Sequence, residues 1–225
     1  MKRFIICSLL LLVCSGCAWF ETREDKPAHE LVSDGMEEYR RGNYKKSIEA
    51  FEKLKDWYPF SKYAILAELK IADAHFNLEE YEDAIFAYEE FENLHPRNEA
   101  TPYVVYQIGL SYFNQIDAVD RDQSTAQKAL DTFERLLKQY PQNAFANKAR
   151  ENIKKCLKSL AGHELYVGRY YYKKKHYKAA LARFMTVISD YPDVGSHYYA
   201  LQHITRCEAS INKQEQASKF IDSDK

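Results

Sequence analysis

The side chains able to do chemistry are few and scattered. His203 and Cys207 stand four residues apart, one helical turn, and offer the nitrogen and sulfur that zinc accepts. A structural zinc site takes four ligands, so helix packing is the competing reading for Cys207. Asp117, Asp120 and Asp122 crowd one segment as calcium carboxylates do, but without the glycine and bidentate glutamate of an EF-hand loop. A solvated loop is the simpler reading. The seven histidines form no His-Glu-x-x-His, and neither a Gly-x-Ser-x-Gly elbow nor a glycine-rich phosphate loop is present. Cys156 and Cys207 suit either a disulfide in an oxidising compartment or two separate buried thiols. With no recognisable acid-base pair, the sequence points to a non-enzymatic protein, an envelope enzyme acting on peptidoglycan being the minor alternative.

The cysteine with a defined chemical role is Cys17. Lys2 and Arg3 precede an apolar stretch at residues 4–13, which matches the charged and hydrophobic parts of a secretory signal and is too short to span a bilayer. Ser15 and Gly16 place small residues immediately before Cys17, and the segment resembles a bacterial lipobox. That resemblance implies a signal peptide over residues 1–16 and a thioether-linked diacylglycerol plus an N-acyl chain on Cys17, with no other cofactor. One acyl chain binds a membrane marginally, at about 0.8 kcal/mol per buried methylene, whereas several together hold stably. Ala18 and Trp19 follow Cys17. The absence of an aspartate there implies sorting to the outer membrane, facing the periplasm. Residues 17–29 read as the lipidated cysteine and a flexible tether, whose polar part spans at most about 30 Å.

The mature chain must supply its own scaffold. Apolar residues make up 46 % and Tyr and Phe number 18 and 12, while 7 Gly and 6 Pro are too few for a turn-rich sandwich or a disordered chain. Long helices fit. The net charge of −1 becomes −3 once Lys2 and Arg3 leave with the signal, so nucleic acid is not an expected partner. The run Lys173, Lys174, Lys175 reads as a solvated face.

A period organises these helices. Gly35, Ser47, Phe51 and Pro59 are separated by gaps of 12, 4 and 8, and the gaps recur in Ala72, Ala84, Tyr88 and Pro96 and again in Gly168, Ala180, Phe184 and Pro192. Gly109, Ala129, Phe133 and Pro141 keep the last two gaps and lengthen the first by eight residues, an insertion between paired helices. Small side chains let two helix backbones approach, the aromatic fills the remaining space, and proline ends the second helix. Tyr44, Tyr81 and Tyr177 each stand three residues before the second small position and enter the second helix at the same place. Phe51 with Leu54, Tyr88 with Phe91, and Phe184 with Val187 form i, i+3 pairs on one buried stripe.

This is the tetratricopeptide repeat (TPR) pattern, and it predicts an all-α, TPR-type superhelix of about five helical hairpins. Residues 30–142 form the N-terminal units and residues 143–225 the C-terminal ones. An extra helix begins near residue 143 and runs on toward Tyr172, with Gly162 inside it as a possible kink at a cost of about 1 kcal/mol relative to alanine. After Pro192 a helix near residues 198–211 and a short one to residue 221 make an incomplete fifth unit. Tyr58, Phe60 and Tyr63 cluster just after a helix break, either lining a peptide pocket or packing between hairpins. Arg183 should face outward from the buried stripe, where a guanidinium can pair with a partner carboxylate.

Beyond the repeat, the lipobox, Tyr58-Pro59-Phe60, Tyr103-Val104-Val105-Tyr106, Gly109-Leu110, Val119-Asp120-Arg121-Asp122, Leu160-Ala161 and Asp190-Tyr191-Pro192-Asp193 resemble one family, the outer-membrane assembly lipoproteins of the BamD (ComL/YfiO) type. They span nearly the whole mature chain, and the insertion in the third unit is shared with that family. The resemblance implies a scaffold of the BAM complex, which folds and inserts β-barrel proteins into the outer membrane. Implied partners are the POTRA domains of BamA, other BAM lipoproteins, unfolded β-barrel substrates, and outer-membrane lipid through the anchor. In the family the C-terminal repeats hold BamA, which makes Arg183 and its helix the expected contact. The N-terminal repeats receive the aromatic-ended targeting strand of substrates, which makes Tyr58, Phe60 and Tyr63 the expected receiving surface. Another outer-membrane TPR lipoprotein, such as a pilotin or a cell-division coordinator, is the alternative.

Overall fold

The computed structural model describes residues 26–223. The signal segment, Cys17 and the tether as far as residue 25 lie outside the described residues. Within these, nine helices follow one another: α1 (Ala28–Arg40), α2 (Tyr44–Trp57), α3 (Ala64–Asn77), α4 (Tyr81–Leu94), α5 (Thr101–Asn114), α6 (Ser124–Gln139), α7 (Ala146–Lys173), α8 (Tyr177–Ser189) and α9 (His197–Ser223). Each packs on the next in chain order. α1–α2, α3–α4, α5–α6 and α7–α8 are the four hairpins, and α9 opens a fifth unit. No described helix is long and apolar enough to cross a membrane.

The repeated small residues do what their spacing requires. A Cβ placed on Gly35 would lie 2.8 Å from the Phe51 ring, on Gly109 2.7 Å from Phe133, and on Gly168 2.6 Å from Phe184. A Cβ does not come that close without a shift of the ring, so glycine lets the ring of the second helix press directly on the backbone of the first. Ala72 holds the equivalent place in the second hairpin, in one cluster with Tyr88. The four rings are wholly buried. Each centres one of four apolar clusters running along the chain.

The turns of the first, second and fourth hairpins are equally regular. Gly42, Glu79 and Lys175 occupy the left-handed region, with φ of 79°, 61° and 63°. After each, a pair of backbone bonds closes the preceding helix, such as Gly42 N–H to Tyr39 O and Asn43 N–H to Glu38 O, both near 3 Å. This is a Schellman motif, which favours glycine because a Cβ is strained at positive φ. Tyr44, Tyr81 and Tyr177 are the first residues of α2, α4 and α8, and their rings lean on Tyr39, Phe76 and Tyr172 at centroid separations of 5.3, 5.7 and 5.2 Å. Because Glu79 and Lys175 hold the strained position without a glycine, Glu79→Gly or Lys175→Gly is expected to raise the thermal midpoint, each contributing about 0.5–1 kcal/mol.

Two expectations change. α7 runs unbroken through Gly162, where a Cβ would meet Val119 Cγ1 at 3.0 Å. The glycine admits the inserted loop rather than interrupting the helix. α9 is one helix, not two, because residues 197–223 contain neither glycine nor proline to stop it. Cys156 and Cys207 are free thiols buried in different clusters. Burial pushes Cys156 up to about 12, which keeps it a neutral packing group.

Candidate partner-binding surfaces

The aromatic segment between α2 and α3 divides into support and display. Tyr58 and Tyr63 pack against the first apolar cluster, and the Tyr58 hydroxyl donates to the Lys26 carbonyl at 3.0 Å. Phe60 is entirely exposed, at 101 % of its reference area. The turn is tied by Ser61, whose backbone N–H donates to Tyr58 O at 2.9 Å and whose hydroxyl accepts from the Tyr63 N–H at 3.2 Å. Of the three residues expected from the sequence, Phe60 is presented as a free ring and Tyr58 and Tyr63 form a half-buried base beneath it.

Arg183 lies outside the buried stripe on α8, as expected, yet a carboxylate from its own chain already meets it. Its Nη1 donates to both oxygens of Glu164 on α7, at 3.1 and 3.2 Å, with the Arg183 side chain 44 % exposed. Nη2 and Nε make no further hydrogen bond to a described residue. The pair holds the guanidinium plane in one orientation while leaving donors pointing elsewhere.

A buried polar centre was not legible as a site. Asp73, with 4 % of its side chain exposed, accepts from the hydroxyls of Tyr88 and Tyr103 at 2.7 Å each and from Lys70 Nζ at 2.7 Å. Gln107 Nε2 donates to both hydroxyl oxygens at 3.2 Å. Asn77 donates to the Tyr39 hydroxyl at 3.0 Å, and Lys70 Nζ sits 4.8 Å from the centre of the Tyr39 ring. The available signal was Tyr88 itself, the one hydroxylated ring in a set otherwise made of Phe51, Phe133 and Phe184. A buried hydroxyl demands a partner.

Burial first, and then the Asp73 charge, push the Tyr88 and Tyr103 hydroxyls well above the usual tyrosine range, and the same causes push Tyr39 up to about 12. An unfolded tyrosine ionises near pH 10. Above that pH the unfolded chain releases protons that the folded chain keeps, so stability falls as pH rises. The urea midpoint should stay level from about pH 7 to 9, then fall between about 10 and 12, less steeply in Tyr88→Phe.

The inserted loop between α5 and α6 is docked. Val119 O accepts from His163 Nδ1 at 2.7 Å, and Gln123 Oε1 accepts from Ser159 at 2.8 Å, both partners lying on α7. Asp122 Oδ1 accepts the N–H of Ser124, the first residue of α6, at 2.9 Å. Among the described residues, the group whose ligand atoms come within 4.8 Å of one another is His75, Glu80 and Asp83, away from this loop. His75 and Glu80 bond to each other at 2.8 Å across the Schellman turn, which is a turn lock. His203 lies flat on Phe184 at 4.7 Å, and Cys207 is buried in the same cluster, a packing arrangement.

Comparison with known proteins agrees with this architecture. The TPR2AB domain of yeast Sti1, solved in a complex with an HSP90 peptide, superposes with a TM-score of 0.52 at 16 % identity, covering 82 % of this chain and 70 % of that one. At that identity the fold alone is shared, a TPR-type α superhelix. Outer membrane protein assembly factor BamD of Rickettsia prowazekii is 32 % identical over 98 % of this chain and 90 % of its own length. The BamD of Caulobacter vibrioides is 30 % identical over 92 % and 68 %, respectively. The family model YfiO, described as an outer membrane lipoprotein, matches residues 24–220. Four hairpins built on one register of a small residue against a buried ring, a docked insertion in the third, and a family match across nearly all the described residues together place the chain in the BamD (YfiO) family of outer membrane lipoproteins.

Proposed function

We propose that the chain is a non-enzymatic scaffold of the BAM complex, anchored in the outer membrane by acyl chains on Cys17 and facing the periplasm. Its N-terminal hairpins receive an aromatic-ended segment of an unfolded β-barrel substrate, and its C-terminal hairpins hold the POTRA domains of BamA. The observation that carries this reading is the family match over residues 24–220, to relatives named as outer membrane protein assembly factors. Phe60 offers an exposed ring for the substrate segment. Arg183, oriented by Glu164, offers Nη2 and Nε to a BamA carboxylate. Holding both partners on one chain raises the effective concentration of each for the other without any new contact.

Mild detergent extraction of outer membranes followed by pull-down on this chain should recover BamA. Arg183→Glu is expected to lower that recovery at least tenfold with the helical circular dichroism unchanged. The double change Arg183→Glu/Glu164→Arg restores the intrachain pair and still fails to recover BamA. Full recovery by Arg183→Glu, or a secretin in place of BamA, would sink the reading.

A further inference from the structure

Where the loop between α8 and α9 meets α7, a cavity of about 430 Å³ is lined by Leu157, Pro192 and Val194 and rimmed by Lys154, Lys155, Lys158 and Asp193. Its charge is unbalanced. None of the three lysines joins an ion pair with a described residue. Asp193 is turned into its own loop, accepting the Gly195 N–H at 2.9 Å. Lys155 Nζ lies 5.7 Å from the centre of the Phe113 ring. The positive field continues along α7, where Lys148 and Arg150 precede these lysines and Glu151 is the one acidic residue between positions 148 and 158, on a chain whose net charge is −1. A small apolar hollow framed by ammonium groups selects for an apolar group flanked by carboxylates.

We infer that this cavity docks an acidic peptide segment of another protein, one apolar side chain entering between Leu157, Pro192 and Val194 while neighbouring carboxylates meet Lys154 and Lys158. A lipid surface is the weaker fit, because anionic membranes are read through basic charge alone, whereas here the lysines frame an apolar hollow that a headgroup surface would leave empty, on a negative chain. The site goes beyond the contacts proposed above, since neither Phe60 nor Arg183 lines it, and it stands or falls separately from them.

The test uses the detergent-solubilised full chain and a fluorescein-labelled peptide with one phenylalanine between pairs of aspartates. Saturable binding is expected, weakened at least tenfold when the phenylalanine becomes alanine and at least tenfold in Lys154→Glu/Lys158→Glu. Lys154→Gln/Lys158→Gln, which adds no repulsion, should weaken it less, with circular dichroism unchanged in both variants. Equal binding of the phenylalanine and alanine peptides overturns the inference. So does binding indifferent to both lysine variants, or capture of phosphatidylglycerol vesicles through these lysines without peptide binding.

Discussion

Phe133→Ala should lower the unfolding free energy by about 3–5 kcal/mol, seen as a fall in the urea midpoint at unchanged slope. Phe133 is wholly buried, in the cluster that also gathers Val105, Ala129, Leu136, Ala149 and Cys156 from α5, α6 and α7. Its ring rests against Gly109 so closely that an added Cβ would lie 2.7 Å away. Removing the ring therefore opens a cavity that helix backbones cannot close without sliding. The reverse change tests the same contact: Gly109→Ala forces the ring aside and should cost about 1–3 kcal/mol. With a smaller residue opposite, in Gly109→Ala/Phe133→Leu, the penalties of Gly109→Ala and Phe133→Leu measured singly should sum to more than the double variant loses, because the pair shares one space. Simple additivity would show that the glycine is not there for the ring.

Asp73→Ala carries the second large effect, a loss of about 3 kcal/mol or more, because it leaves two tyrosine hydroxyls and an ammonium group without their acceptor. The Tyr88 hydroxyl is the more damaging orphan, being buried, whereas Lys70 can turn toward water. Asp73→Asn should cost less, since its oxygen can still accept from both hydroxyls. Urea unfolding with near-ultraviolet circular dichroism of the tyrosines reads both variants. If Asp73→Ala were neutral, the network would be ornamental and α3, α4 and α5 would be held by apolar packing alone.

The architecture was legible because its determinants are local. A glycine and a ring sixteen residues apart, as in Gly35 and Phe51 or Gly168 and Phe184, are brought together by any antiparallel hairpin of that length. The tyrosine that opens the second helix in the first, second and fourth hairpins is likewise set by its own turn. The candidate surfaces were less legible because their state depends on other helices. Tyr58 and Tyr63 look like Phe60 in sequence, yet only Phe60 escapes the first cluster. Arg183 was placed outward by helical phase, but phase on α8 says nothing of Glu164, nineteen residues earlier on α7. Asp73 reads as a surface acid until Tyr103, thirty residues on, reaches it. Gly162 reads as a weak point until the loop carrying Val119 is seen seated on it.

α7 has 28 residues where α1 has 13 and α2 to α5 have 14 each, which makes it a rod of about 42 Å. Cys156 and Leu160 belong to the cluster of the third hairpin, and Ala161 to that of the fourth, so neighbouring residues of one rod serve two units. There is no joint between them at which to pivot. A load on either end is carried along one continuous rod, and bending it at Gly162 would first require the Val119 side chain seated there to move.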